Sequence, residues 1–376
     1  MKIVQFIPSL NSGGAERFVI DLSNSLASNH KVHLFTLLDI NEYGFYKNDL
    51  SDNVEIISLN KKLGVDLLLP FKIFRELFKI KPDIVHSHLN AIFYLIISFL
   101  FLRKTNFFHT IHNDAPKEAK SKFQFYFKFF LFKNSFVYPI TISNSSAKGF
   151  KEFYGLASIK IYNGRLINSK DQYRNDSFLN KFKKTKETKV FVNVARLSTQ
   201  KNQIMLAKAF NILVNEGYDI SLLIIGQKLD LEICTKIKLI SKDIHLLGQV
   251  SNPLDYIANS DIFCLSSLYE GMPISLIECF GLGIIPVCTP VGGMKDMIVD
   301  GKNGFLSNDI SLESYVVALE KCLCLSDDEI CKMKKNSKKE YQNYSMETCT
   351  KKHEFVYHEN KIHYHLKVIR KTKMLH

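Results

Sequence analysis

Residues 261–306 read DIFCLSSLYEGMPISLIECFGLGIIPVCTPVGGMKDMIVDGKNGFL. Ile262, Phe263, Cys264 and Leu265 form a short apolar run of the kind that fills a buried parallel strand. The turn at 266–272 follows and carries Glu270 and Gly271. Pro273 stands where a helix should begin, because its fixed φ suits the first helical position and no amide donor is lost there. Ile274, Leu276, Ile277 and Phe280 continue that helix, and Gly281 and Gly283 can end it.

This strand, turn and helix leave Glu270 in the loop and Glu278 about one and a half turns inside the helix. Between them lie the unpaired amides of a helix N-terminus, which attract an anion. Two carboxylates repel an anion but accept hydrogen bonds from neutral hydroxyls. A ligand with hydroxyls at both ends and phosphate in the middle meets both conditions, and a sugar nucleotide has that form. The alternative is a solvated loop acid and a helix-surface glutamate, and this stretch alone leaves both readings open.

Upstream, KVFVNVARL (189–197) reads as a strand whose end releases Arg196. Residues 198–201 then lead into a helix marked by Met205, Leu206, Ala209 and Phe210. Arg196 and Lys201 bracket this turn. Two cations at a strand's carboxyl end beside a helix N-terminus can clamp a diphosphate; they can equally be two surface cations. SLLIIGQ (221–227) and HLLGQVS (245–251) are further strands, and 252–259 is a short helix. Beyond the opening stretch, 286–288 is a strand, and Gly292-Gly293 and Asn303-Gly304 are turns.

The first half repeats the alternation. KIVQFIP (2–8) is a strand, SLNSGGAER a glycine-rich turn, and Phe18, Val19, Leu22 and Leu26 mark a helix. Gly13 and Gly14 allow close backbone approach by a ligand, or else form a tight turn that needs positive φ. Strands are expected at 32–38 and 54–59, and a helix at 71–78. PDIVHSHLN follows, in which Ile84 and Val85 feed His86 and His88. Residues 107–111 form a strand with His112 at its end, where open α/β sheets face their ligands. His112 is read as a polar contact to the ligand; His86, His88 and His109 are read as structural hydrogen-bond partners. Strands at 140–142 and 160–162 close this half. The polar run 171–189 is read as a linker.

The chain of 376 residues is too long for one typical core. The expected domains are 1–170, then 190–345 after the linker, with a basic helix or tail at 346–376 able to pack back on the first. The net charge of +13 suits nucleic acid, an anionic membrane surface or a phosphorylated ligand. The segment 115–136 carries Lys117, Lys120, Lys122, Lys128 and Lys133 among many phenylalanines. That composition suits an anionic bilayer surface, or an ordinary helix with its aromatics in the core. No nucleic-acid-binding motif accompanies it, so no nucleic-acid partner is expected. Lys332, Lys334, Lys335, Lys338 and Lys339 form a second basic cluster, and 361–376 a third. The eight cysteines, all at or after Cys234, show no paired CxxC and read as thiols of a reducing cytosol. No secretory signal is read at the start. Residues 89–102 are apolar but too short to span a bilayer, and read as a core helix.

ARLSTQKN, EGMPISLIE and PVGGMKDMIVDGKNGFL together resemble the retaining glycosyltransferases of family 4, as do SLNSGGAER, IHND and ITISNSS in the first half. The resemblance implies the α/β GT-B fold, two facing Rossmann-like domains with a cleft, the donor mainly on the second domain and the acceptor mainly on the first. It assigns Arg196 and Lys201 to the donor diphosphate. Glu270 and the backbone of Gly271, Met272, Pro273 and Ile274 would hold the donor sugar, and Glu278 the ribose. Gly13 and Gly14 would approach the phosphates, and His112 would line the reacting centre. His112, Glu270, Arg196 and Lys201 are thus the candidate catalytic residues. No metal or other cofactor is expected. The expected activity is transfer, with retention, from a UDP- or GDP-sugar to a glycan or polyprenyl-linked acceptor in bacterial surface polysaccharide assembly (O-antigen or capsule). The expected place is the cytoplasm, at the inner membrane face. Two departures stand out: Arg165 and Leu166 replace the usual aliphatic residue and Asp after Asn163-Gly164, and Asp296 stands where Glu is common. The rival readings are an NAD-dependent dehydrogenase, with Asp39 as its ribose acid, and a non-catalytic sugar-nucleotide-binding protein.

Overall fold

The computed structural model describes residues 1–62, 66–119, 121–167, 172–175, 177–227 and 230–373, with side chains up to residue 359. The chain forms two compact units, Met1–Gly164 with Met346–His376, and Arg165–Ser345.

The first unit is built on a parallel sheet of seven described strands: β1 (Lys2–Ile7), β2 (Lys31–Thr36), β3 (Val54–Ser58), β4 (Ile84–His88), β5 (Asn106–Ile111), β6 (Tyr138–Thr141) and β7 (Ile159–Lys160). Their order is β3-β2-β1-β4-β5-β6-β7, so the direction of winding reverses between β1 and β4. Helices cover both faces of such a sheet, which is why its strands are near-continuous apolar runs. Val4, Phe6, Phe35, Val85, Phe107 and Ile111 lie in one core with the helix residues Ile73, Leu77 and Phe150. The helix Met346–Lys373 belongs to this unit. Thr350 Oγ1 donates to Ser25 Oγ at 2.9 Å, and the Tyr357 hydroxyl meets His86 Nδ1 at 2.7 Å.

The second unit repeats the plan with β8 (Lys189–Val194), β9 (Ile220–Ile225), β10 (Ile244–Gly248), β11 (Ile262–Leu265), β12 (Ile285–Cys288) and β13 (Phe305–Leu306). The order is β10-β9-β8-β11-β12-β13, with the reversal between β8 and β11. β11 is the apolar run 262–265, buried throughout.

Several expectations are corrected. Pro273 is the residue before the helix, with ψ 123°, and the helix runs Ile274–Gly281. Its end is a Schellman turn: Gly283 (φ +64°) donates to the Phe280 carbonyl and Ile284 to that of Cys279, both at 3.0 Å. The run 171–189, read as a linker, lies within the second unit. There Asn175 N–H bonds Asn259 Oδ1 at 2.8 Å and Thr188 Oγ1 bonds Asp219 at 2.9 Å. Asp171 and Asp176 of that run fall outside the described residues. Residues 89–102 do not form one core helix but a 3-10 turn, Leu89–Leu95, and a short helix, Ile96–Phe101. Ile96, Leu100 and Phe101 are exposed. In the basic segment, Lys128 is fully buried and pairs with Glu118 at 3.4 Å, so it belongs to no charged surface. Lys120 and the side chains of the terminal basic stretch lie outside the described residues. No helix among the described residues is long and apolar enough to cross a membrane.

Candidate active site

In open α/β sheets ligands sit outside the carboxyl ends of the strands, where the winding reverses. In the second unit that point lies between β8 and β11, so the loops 195–202 and 266–273 define it. Side-chain and backbone bonds stitch the two loops together. Leu268 N–H donates to the Gln200 carbonyl at 2.9 Å, Gln200 Nε2 to the Tyr269 carbonyl at 3.0 Å, and Ser266 Oγ to the Lys201 carbonyl at 2.9 Å.

Glu270 is buried at this junction. Its Oε1 accepts from Ser267 Oγ at 2.6 Å and is ion-paired with Lys201 Nζ. Its Oε2 has no partner among the described residues and is left to accept a further hydrogen bond. Gly292 and Gly293 back this loop. Gly292 has φ +51°, and a Cβ there would lie 1.8 Å from the Glu270 carbonyl oxygen. Gly293 N–H donates to the Gly271 carbonyl at 2.7 Å. Only glycine accommodates both the left-handed backbone and the close approach at 292. Gly271, Met272, Pro273 and Ile274 are buried at the entrance of the helix Ile274–Gly281, whose first amides lack helical partners.

Glu278, inside that helix, is buried, and its Oε1 accepts from Arg165 Nε at 2.7 Å. Arg165 is among the three residues that depart from the family pattern, and nothing local in the chain marks this pairing. Arg165 N–H is held by the Tyr344 carbonyl at 3.1 Å and its Nη1 donates to the Leu166 carbonyl at 3.1 Å. Arg196 leaves the end of β8 with an exposed side chain that makes no ion pair among the described residues; its carbonyl accepts from Gln203 Nε2 at 3.0 Å. The structure thus joins Lys201 to Glu270, gives Glu278 an unforeseen partner, and leaves Arg196 at the same sheet end facing solvent.

In the first unit Gly13 has φ −173°, an extended backbone open to any residue, and Gly14 opens the helix Gly14–Leu26. The alternative reading of a tight turn with positive φ is therefore not met at Gly13. His112 follows β5. Its backbone N–H and that of Asn113 donate to Glu118 Oε1 at 2.7 and 3.0 Å. Its Nε2 lies 3.0 Å from His88 Nδ1, and its ring meets Phe18 edge-on at 5.8 Å. Burial pushes its pKa down to about 3, so the ring is neutral at ordinary pH. His86 bonds Tyr357 and Thr110 Oγ1, and His109 Nδ1 lies 3.0 Å from Ser87 Oγ, as structural residues should. Asp39 accepts Asn41 N–H at 2.8 Å within its own loop. All eight cysteines are free thiols. Among the described residues no group of His, Cys, Asp or Glu is placed to hold a metal ion.

Two parallel-sheet units of this topology, with a carboxylate and lysine pair at the switch point of the second, define the class of GT-B glycosyltransferases. The family described as Glycosyltransferase Family 4 matches residues 12–164, and that described as Glycosyl transferases group 1 matches residues 175–340. The chain is a family 4 glycosyltransferase. It is 26% identical over 366 residues to a Campylobacter jejuni enzyme, GalNAc-alpha-(1->4)-GalNAc-alpha-(1->3)-diNAcBac-PP-undecaprenol alpha-1,4-N-acetyl-D-galactosaminyltransferase. That match covers 93% of this chain and 94% of the relative. It is 28% identical over 267 residues to the uncharacterised glycosyltransferase MJ1059 of Methanocaldococcus jannaschii, covering 63% of this chain and 64% of that one. Among solved structures, Anabaena Alr3699/HepE in complex with UDP and glucose superposes with a TM-score of 0.76 at 19% identity, over 95% of this chain and 99% of the other.

Proposed function

We propose that this glycosyltransferase moves a sugar, with retention of configuration, from a UDP- or GDP-sugar to a glycan or polyprenyl-linked acceptor during assembly of a bacterial surface polysaccharide. The observation that carries the reading is the pairing of Lys201 with Glu270 at the reversal between β8 and β11. A relative that acts on a diphosphoundecaprenol-linked glycan and a fold neighbour solved with UDP and glucose support the choice of acceptor and donor.

Lys201 carries three donors on one ammonium, so it can hold Glu270 and a phosphate oxygen together. With Arg196, which stands exposed at the same sheet end, it offsets the charge that grows on the departing diphosphate, and Lys201 does so beside the buried Glu270, where fixed charges act strongly. This role needs no metal. Glu270 Oε2 and the amides at 271–274 receive the hydroxyls of the donor sugar. Glu278 Oε2 receives the ribose, its other oxygen being held by Arg165. His112 is assigned to the reacting sugar, and the Gly13-Gly14 segment to the phosphates. Replacing Glu270 or Lys201 with Ala should abolish nucleoside diphosphate release while the circular dichroism spectrum is unchanged; full activity in either would refute the assignment. The anomeric signal of the product by NMR tests retention.

Peripheral contact with the inner membrane face is part of the proposal. Leu67, Leu68, Phe71, Phe78 and Phe101 are exposed on the first unit, and Arg75 and Lys79 are exposed nearby in sequence. Apolar rings beside cations suit an anionic leaflet, where each cation contributes roughly 1 kcal/mol.

A further inference from the structure

Gln5 on β1, His88 on β4 and the His112 that follows β5 form a buried chain of side chains. His88 Nε2 lies 2.8 Å from Gln5 Oε1, and His88 Nδ1 lies 3.0 Å from His112 Nε2. Gln5 and His88 are fully buried, so hydrogen bonds rather than water decide which ring nitrogen carries the proton. An amide oxygen only accepts, so His88 Nε2 is the protonated nitrogen. Burial holds His88 neutral, which leaves its Nδ1 a bare lone pair. His112 Nε2 must then donate to it. The remaining nitrogen, His112 Nδ1, is a bare lone pair with no partner among the described residues.

We propose that Gln5 and His88 are positioning residues that fix the tautomer of His112, so that it presents Nδ1 to the substrate as a hydrogen-bond acceptor only. The inference rests on the proposed assignment of His112 to the reacting sugar, and it narrows the substrate class. The sugar must offer a hydroxyl at that point. A carboxylate there, as in a uronic acid, would set its own lone pairs against that of Nδ1. The site is therefore built for a neutral, hydroxylated sugar.

The tautomer is measured on the free protein. In a two-bond proton–nitrogen correlation spectrum of 15N-histidine-labelled protein, the His112 signals are those lost in His112→Asn. The expected pattern is a protonated Nε2 and a bare Nδ1, unchanged between pH 6 and 8. A protonated Nδ1, or a mixture, overturns the proposal. Gln5→Leu removes the acceptor that starts the chain. It should convert His112 to a tautomer mixture and lower kcat/KM for the sugar nucleotide about tenfold, the scale seen for outer partners of an oriented histidine, while UDP or GDP binds as before. A folded Gln5→Leu protein with the original tautomer also overturns the proposal, and if that variant does not fold the wild-type spectrum decides alone. The two levels fail separately: full activity in His112→Asn would remove His112 from the sugar and leave the tautomer result standing.

Discussion

Arg165→Leu probes the contact that the sequence concealed. Arg165 Nε and Glu278 Oε1 are 2.7 Å apart, and the side chains are 8% and 6% exposed. At an effective dielectric near 20, charges at that distance attract by about 6 kcal/mol. Desolvation of the two ions offsets most of this, so the pair's net contribution is small. Removing one partner is different, because it strands a buried charge at a cost of about 3–5 kcal/mol. Arg165→Leu and Glu278→Leu should each destabilise the second unit by about 3–4 kcal/mol. The double variant should lose clearly less than the sum, with a coupling of about 2 kcal/mol or more. The chain has no tryptophan, so urea unfolding is best followed by far-ultraviolet circular dichroism. Because Glu278 is assigned to the ribose, donor KM in folded Arg165→Leu should rise more than kcat falls. A coupling below about 0.5 kcal/mol would mean that the two side chains do not hold each other, and the positioning argument would fail.

Gly292→Ala should displace the Glu270 loop, since the new Cβ would meet the Glu270 carbonyl oxygen at 1.8 Å. A loss of about 2–3 kcal/mol and a raised donor KM are expected, and an unchanged melting temperature would contradict the packing. Acid should unfold the first unit early. His86, His88, His109, His112 and His353 are all held neutral by burial, His112 down to about 3 and His353 to about 4. Unfolded, each binds a proton near pH 6.5, so below that pH the unfolded chain holds more protons and stability falls, by up to about 1.4 kcal/mol per pH unit per histidine. Melting curves at pH 7, 6 and 5 should show a steep drop, and a pH-independent midpoint would refute it. For the membrane contact, Phe71→Ser with Phe101→Ser should abolish sedimentation with anionic vesicles at low salt; no sedimentation of the wild type would count against the contact.

The strands were legible because parallel strands buried on both faces are written as unbroken apolar runs, as at 262–265 and 84–85. The turn at Gly292-Gly293 was legible because the left-handed backbone at Gly292 leaves few residue choices. Pairings between distant residues were not. Lys201 and Glu270 are 69 residues apart and Arg165 and Glu278 are 113 apart, and nothing local in the sequence marks either. Resemblance drew attention to the first pair and away from the second, since Arg165 read only as a departure. Lys128 misled for a related reason: a lysine among lysines reads as surface, and only the position of Glu118 explains its burial. The histidines at 86 and 88 read correctly as structural, but the link from His88 to His112 needed the register that sets β4 beside β5.

Thermal shift of the wild type and of Lys201→Ala across a panel of nucleoside-diphosphate sugars tests the central claim most directly. At a concentration of 100 times Kd, a true donor stabilises the folded protein by about 2.7 kcal/mol. At least one UDP- or GDP-sugar should raise the melting temperature of the wild type, and Lys201→Ala should lose the shift. No shift with any nucleotide sugar, or the same shift in Lys201→Ala, would contradict it.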